Sequence, residues 1–317
     1  MGLFAPTPKH KYGRLPSAPR DLVRSIPLKH VLKADYSGTV PDSVSYTPAV
    51  ANLPVDSNQT LGDCTSAGAA HVEAALSQFG QGTPVVVSDA DDISFYSGST
   101  GYVPGDPSTD QGGDMQTVLK YWNQTGLAGH KIAAYFAVDP TDFDEMRAAL
   151  YLFGNLYIGF NCTQGFETAF DNGTVFDVVK RDRVVGGHCA AIHNMVKGGN
   201  IGGSTWGGLF EMTPAAWTKW VAEPYAVASQ EWIKNGVTPE GLDVDAANAA
   251  YLQVTGQPGP FISTSPTPGP SPSPSQDVDP ADVALASALQ QLLPAAQTWM
   301  SDHGFSSTQL PPHRHGH

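Results

Sequence analysis

Between Thr65 and Phe79 the apolar positions Ala69, Val72, Leu76 and Phe79 recur at helical spacing, which predicts an amphipathic helix with those residues on its core face. The segment Gly113 to Trp122 opens on a cap-type residue, Asp114, and predicts a short helix ending near Gly126. Asp142 to Phe153 repeats the pattern, with Phe143, Met146, Ala149, Leu150 and Phe153 apolar. Beyond it the pattern changes to short apolar runs. Asn155–Phe160, Val184-Val185, Cys189–Ile192 and Gly208–Met212 read as strands. Helices come first and strands later, which predicts an α+β fold: a helical half packed on a sheet half with a cleft between them.

The flanks read differently. Residues 1–35 are Pro-interrupted and carry Lys9, Lys11, Arg14, Arg20, Arg24, Lys29 and Lys33, an arm expected to lie over the domain. Residues 36–245 form the single folded domain. Residues 246–278 hold a Pro/Ser/Thr-rich linker, expected to be extended. Residues 279–303 predict one amphipathic helix: it starts on Asp279-Pro280-Ala281-Asp282 and carries Leu285, Leu289, Leu292 and Leu293. A lone tethered helix cannot bury its own apolar stripe, so it is expected to mediate oligomerisation or dock on a partner. Residues 304–317 end in a His-rich tail, His313-Arg314-His315-Gly316-His317.

Composition narrows the function classes. Lys and Arg number 17 against 30 Asp and Glu, for a net charge of −13, and no basic stripe appears. Nucleic acid and anionic membrane surfaces both need clustered cations, so neither is an expected partner. No run approaches the roughly 18 apolar residues of a membrane span. The N-terminus shows no apolar signal-peptide core, giving a cytoplasmic or virion-associated expectation. Three cysteines, Cys64, Cys162 and Cys189, do not make a disulfide framework. His188, Cys189 and His193 lack paired-ligand spacing, so no metal and no cofactor is expected.

The chemistry concentrates on Cys64. A Gly-containing turn, Leu61-Gly62-Asp63, delivers this thiol to the start of the first helix. Unpaired backbone N–H groups and the helix dipole favour a thiolate there, and the thiolate is the nucleophilic form. Downstream stand Gly186-Gly187-His188-Cys189-Ala190-Ala191 and Ser204-Thr205-Trp206-Gly207. A cysteine, then a histidine, then a Trp-Gly turn is an order suited to a thiol hydrolase.

Those residues carry a family resemblance. Gln59-Thr60-Leu61-Gly62-Asp63-Cys64 is similar to the nucleophile segment of papain-like cysteine peptidases, most of all their short bacterial and phage-type members. Gln111-Gly112-Gly113-Asp114 resembles their substrate-lining Gly-Gly turn, and Gly187-His188-Cys189-Ala190 their catalytic histidine strand. Ser204-Thr205-Trp206-Gly207 stands where they have Asn-Ser-Trp-Gly. The separation of His188 and Ser204 from Cys64 is near the roughly 130–150 residues of papain-type enzymes. The resemblance implies a two-lobed fold, a helical lobe plus an antiparallel β-sheet or barrel lobe, with Cys64 and His188 facing each other across the cleft. It implies Gln59 as oxyanion donor beside the Cys64 backbone N–H, with Asn58 the alternative. It implies Ser204 as the residue orienting His188, with Asn200 the alternative, and Trp206 shielding that contact. The expected activity is cleavage of peptide or amide bonds in a peptide or protein substrate. The competing expectation is a weak or inactive papain-fold structural or binding protein, such as a particle component.

Overall fold

A computed structural model describes residues 10–18, 27–30 and 40–233, together with 238, 245 and 248. The linker 246–278, the helix 279–303 and the tail 304–317 expected from the sequence lie outside the described residues, apart from Asn248. No described helix is long and apolar enough to cross a membrane.

Helix α1 (Cys64–Gln81) runs through the middle of the molecule and ends on Gly82, whose left-handed φ of 85° lets its N–H reach the Gln78 carbonyl. The sequence predicts one apolar face, yet nearly the whole first three turns are buried on every side. The reason is side-chain size. Small residues such as Gly68, Ala69 and Ala70 let the sheet approach one face while other helices cover the rest. A Cβ on Gly68 would stand 3.0 Å from Cys189 Sγ. Phe79, placed by its spacing on the core face, is instead 38% exposed and packs edge-on against Tyr46.

Helices α2 (Asp89–Thr100) and α3 (Met115–Gln124) complete the helical lobe. Ser88 caps α2 by accepting from the Asp91 N–H, and Asp114 caps α3 by accepting from the Thr117 N–H. The acidic run 88–92 reads as solvated, but Asp92 is fully buried against α1. Helix α4 (Phe143–Phe153) is capped as its sequence predicts, Asp142 accepting from the Asp144 and Glu145 N–H groups.

Nine strands are described: β1 (Arg14–Leu15), β2 (Ser43–Ser45), β3 (Gly113–Asp114), β4 (Ile132–Ala137), β5 (Leu156–Thr163), β6 (Val184–Val196), β7 (Ile201–Thr205), β8 (Gly208–Met212) and β9 (Val221–Ser229). Seven form one antiparallel sheet in the order β4-β9-β5-β6-β7-β8, with β2 also on β6. Strands read as separate from the sequence, Val184-Val185 and Cys189–Ile192, are one strand, β6. Helices α5 (Gln164–Asn172) and α6 (Pro214–Trp220) lie beside the sheet. Trp122, Trp217 and Trp232 are fully buried, each stabilising the fold by several kcal/mol on the order of 25 cal/mol per Å² of apolar surface removed from water. The α+β expectation matches this architecture: helices α1–α3 on one side, the sheet on the other, and Cys64 where they meet.

The remaining two strands, β1 and β3, pair parallel to each other, Arg14 opposite Gly113 and Leu15 opposite Asp114. The N-terminal arm therefore does more than lie over the domain: it enters the cleft.

Candidate active site

Cys64 opens α1, and the turn before it is braced from several directions. Gly62 N–H donates to the Asp110 carboxylate at 3.0 and 3.1 Å. Tyr96 O–H donates to the same carboxylate at 2.8 Å and accepts from Gly112 N–H at 2.9 Å. The nucleophile turn and the Gly112-Gly113 turn are thus tied through two side chains of the helical lobe. Asp63, directly before Cys64, does not cap the helix. Its carboxyl accepts from Asn58 Nδ2 at 2.8 Å and meets Asp92. Burial, and after it the neighbouring Asp92, push Asp63 well above the usual carboxylate range.

His188 lies on β6, and its Nε2 is 2.6 Å from Thr205 Oγ1. Its ring stacks on Trp206 at 4.3 Å. Its Nδ1 is buried and has no hydrogen-bond partner among the described residues. One ring nitrogen is thus held and the other is unpaired among the described residues.

Ser204 does not touch His188. Its Oγ pairs with His193 Nε2 at 2.7 Å and with His71 Nδ1 at 3.1 Å. Strand geometry explains the correction. Ser204 stands opposite Ala191 in the β6–β7 register, and cross-strand partners share a face of the sheet. Ala191 and His193 share the face packed on α1, whereas His188 has the opposite parity, as does Thr205 relative to Ser204. Asn200, the alternative, donates instead to Glu211 at 3.1 Å near the surface. Trp206 stacks on the His188 and His10 rings, so it has no Ser204–His188 contact to shield.

Gln59 is exposed and does not reach the site. Asn58 is buried, but its amide is committed to Leu61 O and Asp63 Oδ1. The six-residue turn before Cys64 curls on itself, which turns Gln59 outward and Asn58 inward beneath the turn. Of the oxyanion donors expected from the sequence, this leaves the Cys64 backbone N–H.

The cleft is filled by the arm. Gly13 N–H donates to Gly187 O at 3.2 Å, and Gly113 N–H donates to Gly13 O at 2.8 Å. The slot is cut to the width of a bare backbone. A Cβ on Gly13 would stand 1.7 Å from Gly62 O, one on Gly112 1.9 Å from Gly13 O, and one on Gly187 2.1 Å from Arg14 O. Side chains on either side of Gly13 pin the arm. Arg14 Nη1 reaches Glu223 Oε1 at 2.7 Å with both groups buried. Tyr12 O–H hydrogen-bonds Glu167. His10 Nε2 meets Asp171 Oδ1 at 2.9 Å, and the His10 ring stacks on Trp206 at 4.1 Å.

Burial sets the ionisation state of both Cys64 and His188. Cys64 is 1% exposed, and burial pushes its thiol up to about 12, despite backbone hydrogen bonding from Cys189 and Gly13 that favours the thiolate. Burial likewise drives His188 well below the usual imidazole range, helped by His10, His71 and Arg14 nearby. Both groups are therefore neutral near neutral pH while the arm is seated.

Sequence reasoning does not single out Thr205, Glu223 or Gly13. Thr205 is detectable by strand parity. Glu223 and Gly13 carry no local signal, because each acquires meaning from a contact across the whole chain.

No protein-family model matches the sequence, and no curated protein matches it. Among solved structures, the chain is similar to xylellain, a cysteine protease from Xylella fastidiosa, with 14% identity and a TM-score of 0.55 over 72% of this chain and 99% of that one. It is also similar to procathepsin B S9 from Trypanosoma congolense, with 13% identity and a TM-score of 0.50 over 70% of this chain and 87% of that one. Likeness at this identity is a likeness of fold, and the fold of this chain, a helical lobe and an antiparallel sheet lobe meeting at Cys64, is papain-like.

Proposed function

We propose that this chain is a cysteine peptidase or close amide hydrolase, held latent by its own N-terminal arm. One observation supports the reading: an extended peptide backbone already lies in a glycine-walled slot, between Gly62 of the turn before Cys64, Gly112, and Gly187 next to His188. A slot that fits a backbone and excludes side chains selects peptide.

In the open enzyme, water re-enters the slot and the desolvation that keeps both groups neutral is relieved. The proton of Cys64 passes to His188, giving a thiolate and an imidazolium. The thiolate adds to the scissile carbonyl carbon, and the Cys64 backbone N–H donates to the developing oxyanion. When the C–N bond breaks, His188 Nδ1 gives its proton to the leaving amine. His188 then takes a proton from water, whose hydroxide cleaves the thioester and restores the thiol. Thr205 is a positioning residue that holds Nε2 and so fixes the ring.

Arg14 supports a preference for basic side chains. Its guanidinium enters a buried pocket ending in Glu223, whose other oxygen accepts from Tyr225 O–H at 3.0 Å, with Gln116 behind it at 2.8 Å from that hydroxyl. Gly159 keeps the pocket open, since a Cβ there would stand 2.6 Å from Arg14 Cδ.

The test is to offer peptide amides to a Gly13→Val protein, whose arm cannot seat. Cleavage that prefers an arginine or lysine side chain near the scissile bond, and that Cys64→Ala abolishes, is the expected result. Glu223→Gln is expected to reduce the preference for basic over neutral peptides by about 10–100-fold, the scale of a lost buried charge pair. No cleavage of any peptide by the open protein would overturn the reading in favour of a structural or binding role.

Thr205 and Ser204 separate cleanly in experiment. In the same open protein, Thr205→Val should lower kcat by about 10–100-fold with little change in melting temperature, because the ring loses its hydrogen bond but keeps its stack on Trp206. Ser204→Ala should leave kcat nearly unchanged but destabilise the fold by about 1–3 kcal/mol, since His71 and His193 each lose a buried partner. Thermal melts and steady-state rates on both variants would reveal the opposite assignment if it held.

A further inference from the structure

Away from the cleft, Glu73 on α1 is 0% exposed, and neither of its carboxylate oxygens has a hydrogen-bond partner among the described residues. A buried carboxylate without a donor or counter-charge is costly, and such groups in folded proteins are paired, protonated or bound to a metal. Two side chains face it. His130 Nδ1 is 4.0 Å from Glu73 Oε1, and the same Nδ1 is 2.7 Å from Glu231 Oε1. One ligand atom from each of the three residues lies within 4.8 Å of the other two.

We propose that Glu73, His130 and Glu231 form a binding site for a divalent transition-metal ion, with zinc its best match, that ties α1 to the turn before β4 and to the segment after β9. Zinc–nitrogen and zinc–oxygen bonds of about 2.0–2.2 Å place tetrahedral ligands roughly 3.3 Å apart. The separations of His130 Nδ1 from the two carboxylates, 2.7 and 4.0 Å, fall on either side of that figure, and all three ligand atoms lie within 4.8 Å of one another, so small side-chain movements accommodate an ion. An imidazole with two carboxylates suits zinc better than calcium or magnesium, which take oxygen ligands almost entirely. A water completes the fourth position, because His130 and Glu231 are 30% and 26% exposed.

The ligands stand on fixed backbone. The turn carrying His130 is closed by Leu127 N–H to His130 O at 2.9 Å and His130 N–H to Leu127 O at 2.8 Å. Trp122 Nε1–H also donates to His130 O, at 3.1 Å. Glu231 N–H donates to Ser229 Oγ at 3.1 Å, while Gln81 Nε2–H donates to Glu231 O at 2.9 Å. Gly80 lets α1 approach so closely that a Cβ there would stand 2.1 Å from Glu231 O. Supports of this kind hold ligands in place before the ion arrives.

The experiment is equilibrium dialysis of chelator-stripped, full-length protein against zinc, with calcium and magnesium in parallel, together with thermal melts in each ion. To remove the three tail histidines as competing zinc ligands, the comparison is made in a His313→Ala, His315→Ala, His317→Ala background. In that background one zinc equivalent should bind and raise the melting temperature. Glu73→Gln and His130→Ala should each weaken that binding at least tenfold and abolish the shift. Glu73→Gln is isosteric and removes an unpaired buried acid, so its metal-free melt should lie no lower than that of the background protein. If both variants keep zinc binding and the shift, if the background protein binds no zinc, or if calcium binds in its place, the site is not a zinc site and the proposal falls.

Discussion

Replacing Gly13 with valine is expected to raise the alkylation rate of Cys64 by iodoacetamide at neutral pH by about three orders of magnitude. Gly13 fits because it has no side chain: a Cβ would stand 1.7 Å from the Gly62 carbonyl, a backbone atom of the braced nucleophile turn. Valine therefore cannot be seated, and the arm leaves the slot although the chain keeps its full length. With the arm in place the Cys64 thiol is pushed up to about 12 by burial. The thiolate fraction rises tenfold for each pH unit by which the pKa falls, so a thiol near 12 is almost wholly protonated at neutral pH. Re-exposure to water returns it at least to the ordinary thiol value of about 8.5, which by itself multiplies the thiolate population by about three thousand. Cys162 and Cys189 are also buried, and a Cys64→Ser control identifies the labelled site. An unchanged rate would show that the arm does not govern access to the cysteine.

The second large effect concerns His188. In the Gly13→Val protein, Cys64 should alkylate rapidly well below pH 8, because an imidazolium beside it stabilises the thiolate. Adding His188→Ala should return the alkylation profile to one rising near about 8.5 and reduce peptide hydrolysis by about 10⁴-fold or more. The signs differ between the two states of the arm. With the arm seated, the raised thiol pKa means thiolate appears only as pH climbs toward about 12, and the lowered imidazole pKa means His188 gains a proton only in acid. No pH then holds both charges. With the arm out, the proposed pair is expected to be solvated and mutually stabilised, so that one proton moves from sulfur to nitrogen over a broad neutral window. An open protein whose Cys64 titrates like a free thiol, indifferent to His188, would support the binding-protein alternative.

Much of the site is legible in the residues themselves. Cys64 at the head of α1 follows from a Gly-containing turn before a small-residue helix, and both features are local. His188 is readable because a Gly-Gly-His step at the start of an apolar run has few structural uses. The caps of α3 and α4, Asp114 and Asp142, are evident for the same reason: a capping side chain bonds to N–H groups two or three residues away. Where the expectations fail, they fail in two ways. One is parity. Ser204 and Thr205 are neighbours in sequence and lie on opposite faces of β7, so a shift of one residue exchanges a helix-facing serine for the threonine that holds His188. The other is the path of a turn. Which of Asn58 and Gln59 points inward depends on how the backbone curls before Cys64, and nothing in the residue types fixes that.

Periodicity, capping and turn chemistry act over a few residues, so the element types, the α+β class, and the cysteine and histidine at the lobe junction are all written locally in the chain. What packs against the nucleophile turn and the His188 strand is settled only on folding. Gly13 meets Gly62, Gly112 and Gly187; Arg14 meets Glu223; Glu73 meets His130 and Glu231. Each group joins segments scattered along the chain, and no local pattern records which distant backbone will come within bonding distance once the two lobes close on each other.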